Sequence, residues 1–490
     1  MFTPDNNMDA IFTLERENDG VVDDETFHIL LLGDWSGQKE KRPLSERRPI
    51  EIDRDNFDGV MERIGPTLTT AKDIRLEFSK LDDLHPDEIF LGLPVFDSLR
   101  DIRGRLKNES TFAAAAREVR SWSGEKRPDA GPTAIETTAG DNLLDAILAK
   151  PQGGAPIPKE QVSNELGSLI SEAVRTHLVF VDEDEQSSMI AAVDRAIGDI
   201  MRTMLSDASF RELEAAWRAL FFLVRRMETS SQLKIFIFDV SKSELEDDLA
   251  TGANLSEASV FSTFTRPASG EPWALVCGNY AFEPIISDVA ALMRLAQIAA
   301  TTNAPFISHM RPNVFGVESL AGDASNWEVS AETAEGRLWT ALREIPEARY
   351  LGFAAPRFLA RAPYGADSEP LETFLFEELS GSTGSEHYVW ANSCFLAALL
   401  YAEGFRKNQR NMAAGIPPDV HGLPTHARPL NGETVFQTAA EAQLSESASD
   451  FLVENGMMPF ASSKNSDRVR LTRFQSAAAS GAVLQGRWSN

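Results

Sequence analysis

The clearest hint of covalent chemistry in the sequence is Gly33-Asp34-Trp35-Ser36-Gly37, which sets a serine between glycines as a nucleophile elbow does. An elbow reads G-x-S-x-G and holds its serine on a strained strand-to-helix turn within reach of a base. Here the serine stands one place too late, so hydrolysis by that route is not expected. Phosphate chemistry would need a glycine-rich cradle. Neither G-x-x-x-x-G-K-[ST] nor G-x-G-x-x-G after a strand occurs, and Gly381-Ser382-Thr383-Gly384-Ser385 lacks the lysine of a cradle and reads as a flexible loop. Metal chemistry would need three or four converging donors. His421 and His426 stand five apart among Pro417, Pro418, Gly422 and Pro424, with no cysteine or third histidine nearby, and read as loop histidines. Glu386 and His387 are types that make an acid–base pair, but neighbours in a strand point to opposite faces. Cys277 lies in an apolar stretch, where a buried thiol is inert. Asp182-Glu183-Asp184-Glu185 reads as a solvated acidic turn. No nucleophile, base and orienting group come together. The expectation is of no catalytic residue, no metal ligand and no cofactor site.

The chain that would position such residues has 490 residues, 43% hydrophobic and 25% charged, enough for two or three domains with buried cores. That apolar fraction excludes a mainly disordered chain. No run approaches the roughly 18 apolar residues of a membrane span. Met1 to Asp9 lacks the basic-then-apolar layout of a secretory signal. Cys277 and Cys394 are the only cysteines and make no disulfide framework, so a reducing cytoplasm is the expected compartment. With 74 acidic against 47 basic residues, the net charge of -27 repels phosphate backbones and argues against nucleic acid as a partner.

Along the chain, Phe27 to Leu32 reads as a buried strand stopped by Gly33. Phe57, Val60, Met61 and Ile64 share one helical face, which Gly65-Pro66 ends. Ile74, Leu76 and Phe78 alternate as in a half-buried strand, and Pro86 opens a further helical stretch. This first unit is set at residues 1–112. Residues 113–160 shift to Ala, Gly and Pro and read as a linker, interrupted by a short apolar helix at Leu143, Leu144, Ile147 and Leu148, which more often folds back on its own domain and otherwise docks onto a partner. Residues 161–490 form the larger unit. Phe210, Leu213, Trp217, Leu220, Phe221 and Val224 fall at helical spacing, Leu233 to Val240 reads as a strand inside a covered sheet, and Ser241 to Glu244 is a capping box. Trp273 to Cys277, a helix with Ile286, Val289, Met293 and Ala296, and Pro305 to Ile307 repeat the strand–helix–strand order. The fold class is therefore α/β (α+β), with mixed sheets and flanking helices.

Two stretches also carry a family resemblance. FHILLLGDWSG at Phe27 to Gly37, Arg42-Pro43-Leu44-Ser45-Glu46-Arg47-Arg48, and Ile52-Asp53-Arg54-Asp55-Asn56-Phe57-Asp58 resemble the small sheath subunit of bacterial type VI secretion systems, the TssB/VipA family. Phe210 to Arg218, Leu233 to Leu245, Asn303 to Ile307, Arg349 to Phe353 with Pro356 to Leu359, Pro363-Tyr364-Gly365, Tyr388 to Asn392, Gly422-Leu423-Pro424 and Gly456 to Phe460 resemble the large subunit, TssC/VipB. The resemblance implies a non-enzymatic structural protein, sheath-protomer-like, in which the usual two-chain pair is fused. It implies as partners the small and large sheath subunits or copies of the chain itself, baseplate proteins, the inner tube protein and a ClpV-type ATPase. Leu143 to Leu148 resembles the helix that such an ATPase engages. The large subunit of the family continues past the Gly456 to Phe460 region, whereas this sequence reaches Asn490 soon after. A shortened C-terminus leaves three expectations open: building, capping or nucleating the sheath. An adaptor that binds the ATPase or baseplate outside the lattice is the alternative.

Overall fold

The computed structural model describes residues 26–39, 41–70, 74–122, 185–252, 254–267, 269–379, 387–408, 416–430, 433–463, 465–479 and 481–488. The first part of the chain contributes β1 (Phe27–Gly33), β2 (Ile50–Ile52), α1 (Phe57–Ile64), β3 (Thr67–Thr69), β4 (Arg75–Glu77), α2 (Pro86–Gly92), α3 (Asp97–Lys107) and α4 (Glu109–Trp122). The second part opens with α5 (Glu185–Leu205) and α6 (Ala208–Arg226). Then come β5 (Leu233–Asp239), α7 (Lys242–Ala250), α8 (Ser259–Thr265), β6 (Trp273–Phe282), α9 (Ile286–Thr302), β7 (Phe306–Met310), α10 (Ala334–Glu344) and β8 (Leu351–Ala355). It closes with β9 (Phe358–Leu359), β10 (Trp390–Ala391), α11 (Cys394–Asn408), β11 (Asp419–Val420), β12 (His426–Leu430), β13 (Glu433–Gln437), α12 (Glu446–Glu454), β14 (Met457–Ser462) and β15 (Val469–Leu471).

Every residue of β1 is buried, Phe27, Ile29 and Leu31 toward one core and Leu30 and Leu32 toward the other. A strand apolar on both faces must lie inside a sheet covered on both sides. Accordingly, β1 pairs in parallel with β5 on one side and β6 on the other. The full order is β11-β15-β14-β8-β7-β6-β1-β5-β2. The strands from β5 to β14 are parallel, while β2, β15 and β11 join antiparallel at the two edges, so the sheet is mixed as expected. The chain lays down β1, then β2 at the edge and β5 between the two, and from there crosses to β6 and continues away through β7 and β8. The strand order thus reverses beside β1, as in doubly wound sheets. Helices α6 and α11 cover one face, and α9, α10 and α12 the other.

Local signals end the helices where they were legible. Gly65, at φ 59°, caps α1 in the left-handed region and sends its N–H to Met61 O. Asp207 caps α6 through Ser209 N and Phe210 N, and Ser241 and Glu244 form the capping box of α7. The linker read from residue 113 needs correction at its start. Helix α4 runs across that boundary to Trp122, because Ala115, Ala116 and Val119 supply an apolar stripe that is buried in the same core as Met189 and Val193 of α5. The boundary at 112 therefore does not coincide with the end of packed structure. Nor do the two units keep separate sheets, since β1 and β2 belong to the one that β5 and β6 build.

Candidate functional site at the junction of the two parts

The C-terminal end of β1 is where the early and late parts of the chain meet most intimately. Strand β5 ends in Asp239, and its carboxylate accepts from Trp35 N at 2.8 Å, Ser36 N at 3.1 Å and Ser36 Oγ at 2.7 Å. Lys41 reaches in with a side chain only 5% exposed, its Nζ 2.6 Å from Asp34, 3.2 Å from Asp239 and 3.6 Å from Glu244. Arg47 completes the clasp by donating to Asp239 O at 2.8 Å and pairing with Glu244. Burial penalises the Lys41 ammonium, yet Asp239, Asp34 and Glu244 outweigh that penalty and raise its pKa. Burial likewise opposes ionisation of Glu244, but hydrogen bonds from Arg47 and Ser241 N, with the charges of Lys41 and Arg47, hold its carboxyl down at about 2.

Beside this clasp, Trp35 is fully buried, edge-on to Trp217 at 5.7 Å and to Phe395 at 6.5 Å, and Trp217 Nε1 donates to Trp35 O at 3.0 Å. Gly33 lets the chain pass close here, since a Cβ would press on the Trp35 ring at 3.2 Å and on Asn279 Cβ at 3.3 Å. In doubly wound sheets the crevice outside the strand ends, at the point of reversal, is where ligands bind. In this chain Trp35 follows β1 directly, and its buried indole belongs to the core packed under Trp217 of α6 and Phe395 of α11. Polar groups on and beside β6 and β7 bond internally: Ser308 Oγ donates to Gly278 O and Tyr280 O, Asn392 Nδ2 to the same two carbonyls, and Tyr280 OH to Val240 O, whereas Trp35 Nε1 is buried with no hydrogen-bond partner among the described residues.

A second junction is made by residues 361–378. Arg361 is 7% exposed and pairs with Glu214 of α6 at 2.6 Å and with Glu378 at 2.7 Å. Arg218 adds a bond of 2.7 Å to Glu214 and one of 2.8 Å to Tyr364 OH. Burial alone would raise the Glu214 pKa, but Arg361 and Arg218 lower it. The same stretch grips the early helices: Asp87 of α2 accepts from Glu372 N at 3.0 Å and Thr373 N at 3.1 Å, and Arg103 of α3 binds Thr373 O at 2.7 Å and Asp194 of α5. Phe90 packs on Phe374 at 4.8 Å. These groups anchor elements to one another.

The residues singled out from the sequence are dispersed. Leu143, Leu144, Ile147 and Leu148 lie outside the described residues, as do Glu386, Gly381 to Ser385 and Asp182 to Asp184. His387 and His421 are exposed, and His421 contributes its carbonyl to Arg226 at 2.6 Å. His426 sits on β12 with Nδ1 2.9 Å from Tyr388 OH. Ser36 hydrogen-bonds a carboxylate and has no imidazole partner among the described residues. Cys277 is buried with Sγ 3.7 Å from Cys394 O. Among the described residues no group of three His, Cys, Asp or Glu is arranged to hold a metal ion, and no helix is long and apolar enough to cross a membrane. Lys41, Asp239, Glu214 and Arg361 were missed. The available signal was a carboxylate in an apolar setting: Glu214 among Phe210, Leu213 and Trp217, and Asp239 closing an apolar strand.

Comparison with known proteins divides the chain along the same line. Residues 12–121 match the family described as type VI secretion system, VipA, and residues 187–478 match the family VipB, described as tail sheath N-terminal domain. The type VI secretion system sheath protein TssC1 of Pseudomonas aeruginosa is 33% identical over 325 residues, covering 63% of this chain. The chain spans 65% of the length of that curated relative. Strand β1 falls in the first matched segment and its partners β5 and β6 in the second.

Proposed function

Because the chain belongs to the type VI secretion tail-sheath family, with a VipA segment ahead of its VipB segment, we propose that it is a non-enzymatic structural component of a contractile sheath, a fused protomer acting in the cytoplasm. One observation carries this reading: the VipA-matching segment supplies an interior strand, paired on both sides by strands of the VipB-matching segment, of the sheet that the latter builds. A protomer that transmits force needs its two parts in one cooperative body, and strand pairing plus a buried charge clasp makes them so. Contraction then resides in contacts between protomers that have two packings, which requires no catalytic group. Head-to-tail stacking of copies, or of this chain with separate small and large subunits, is a heterologous contact that does not close on itself. Inner tube, baseplate and a ClpV-type ATPase are the further partners this role implies.

Negative-stain electron microscopy of the purified chain, alone and mixed with a standard small/large sheath pair, tests the proposal. Regular tubes from the chain alone, or particles bound to the ends of tubes in the mixture, are expected of a sheath component. Particles that neither assemble nor associate with sheaths would overturn it.

A further inference from the structure

The stretch from Leu371 to Glu378, at the second junction, is neither helix nor strand, yet it is pinned along its length. Asp87 holds Glu372 N and Thr373 N, Arg103 of α3 holds Thr373 O, and Arg202 of α5 donates to Glu377 O at 2.9 Å. Glu378 N donates to Tyr364 O at 2.9 Å. Phe374 and Phe376 are turned inward and buried, with the Arg202 guanidinium over the Phe376 ring. Leu375, between them, is turned out and is 82% exposed, more than any other large apolar side chain among the described residues. Leu91, at the end of α2, is 52% exposed. Because Phe90 packs on Phe374, each of these leucines is one residue from the same aromatic contact. The charge around them has one sign. Glu88, one helical turn before Leu91, and Glu372 and Glu377, on either side of Leu375, are exposed and have no ion-pair partner among the described residues. No lysine or arginine occurs from Ala362 to Leu379, where Asp367 and Glu369 are exposed as well. The arginines that do reach this face are each matched by a carboxylate: Arg100 by Asp97, Arg103 by Asp194 and Arg202 by Asp199.

We propose that Leu375, together with Leu91, is a preformed knob for a partner protein that presents an apolar hollow bordered by lysine or arginine side chains. Covering the two leucines removes apolar surface from water, which drives association. The pins on the backbone to either side of Leu375 mean that little freedom is lost when it docks. An apolar centre within a charged, solvated rim is the layout of an interface whose binding energy is concentrated in a few side chains. The rim supplies selection by sign: Glu88, Glu372 and Glu377 attract basic neighbours of the hollow and repel acidic ones. For the same reason a second copy of this chain, with the same rim and a net charge of -27, is disfavoured as the occupant. This assignment goes beyond the sheath reading and does not rest on it, so either can fail alone.

The test is fluorescence anisotropy of a labelled synthetic peptide titrated with the full chain at constant ionic strength. The peptide carries leucines at i, i+3, i+4 and i+7 spacing bordered by lysines, so that its helical face offers holes that accept a leucine knob. One comparison peptide keeps the composition but scatters the leucines, and another replaces lysine by glutamate. Saturable binding of the first peptide alone is expected. Leu375→Ser, a change at an exposed position, should weaken it at least ~10-fold, as expected for loss of one buried leucine side chain. Val483→Ser, at an exposed apolar side chain in the C-terminal stretch, should leave it unchanged. No binding, equal binding of either comparison peptide, an undiminished response in Leu375→Ser, or an equal loss in Val483→Ser would overturn the proposal. Self-association of the chain that Leu375→Ser abolishes would also overturn it, by assigning the knob to a second copy.

Discussion

Lys41 shows how much one side chain can be asked to hold. Its ammonium, 5% exposed, is the cation shared by Asp34, Asp239 and Glu244, which come from two segments some two hundred residues apart. Replacing it with methionine keeps the stem's packing but leaves the Asp239 carboxylate facing Asp34 without a counter-charge. The carboxylates around it keep 19–44% of their side chains in solvent, which softens the loss, so Lys41→Met should lower unfolding stability by roughly 1–3 kcal/mol in a denaturant titration. Adding Asp239→Asn to that variant should return part of the loss, because asparagine still accepts from Trp35 N and Ser36 N while shedding the orphaned charge. A double variant less stable than Lys41→Met would mean that Asp239 acts mainly as an acceptor and hardly as a counter-ion.

At the scale of elements, two strands of the sheet carry histidines held neutral. Burial, then the charge of Lys234, lowers the pKa of His28 on β1, and burial, then Arg357, brings His309 on β7 to about 4, against the opposing pull of Glu441. Both are lowered from 6.5, so the unfolded chain takes up protons before the folded one does. Stability from this source is complete above pH 6.5 and is lost as pH falls toward about 4, by roughly 3 kcal/mol for His309 alone. Glu244 stays ionised over that window, since its pKa of about 2 lies below it. Thermal melts from pH 7.5 to pH 4 should show the midpoint falling below pH 6.5, with a shallower fall in His309→Gln. A flat profile would contradict the burial of these rings. The elements themselves were largely legible: β1, α6, β5 and the capping box of α7 each follow from apolar spacing and local caps. Their pairing was not. The register that sets Phe27 opposite Leu233 is fixed by matching two apolar faces across the chain, and no local pattern in either strand names the other. The clasp was hidden for the same reason, because Lys41 and Asp239 acquire meaning only once β1 and β5 lie side by side. Helix α4 was read as linker because its alanines are equally at home in loose chain and in a tight helix contact, and only the presence of α5 decides between them.

For the whole molecule, the position of β1 means that the first and second parts are one folding unit. A protease site placed between residues 123 and 184 and cut after folding should leave two fragments that elute together and separate only in denaturant, since β1 is paired on both sides and clasped at its end. Fragments that part under native conditions would contradict the pairing of β1 between β5 and β6. The same placement sets a schedule during synthesis. The strand made first, Phe27 to Gly33, has its neighbours at Leu233 and beyond, so it leaves the ribosome about two hundred residues ahead of them. At ~5–20 residues per second, that is a wait on the order of ten to forty seconds for a segment reading Phe-His-Ile-Leu-Leu-Leu-Gly, uncharged apart from its histidine and unpaired at both edges. A nascent chain of this protein therefore carries this apolar segment unpaired while about two hundred further residues are made, and the demand it places on the cell is for a chaperone that holds one short strand until the rest of the sheet arrives.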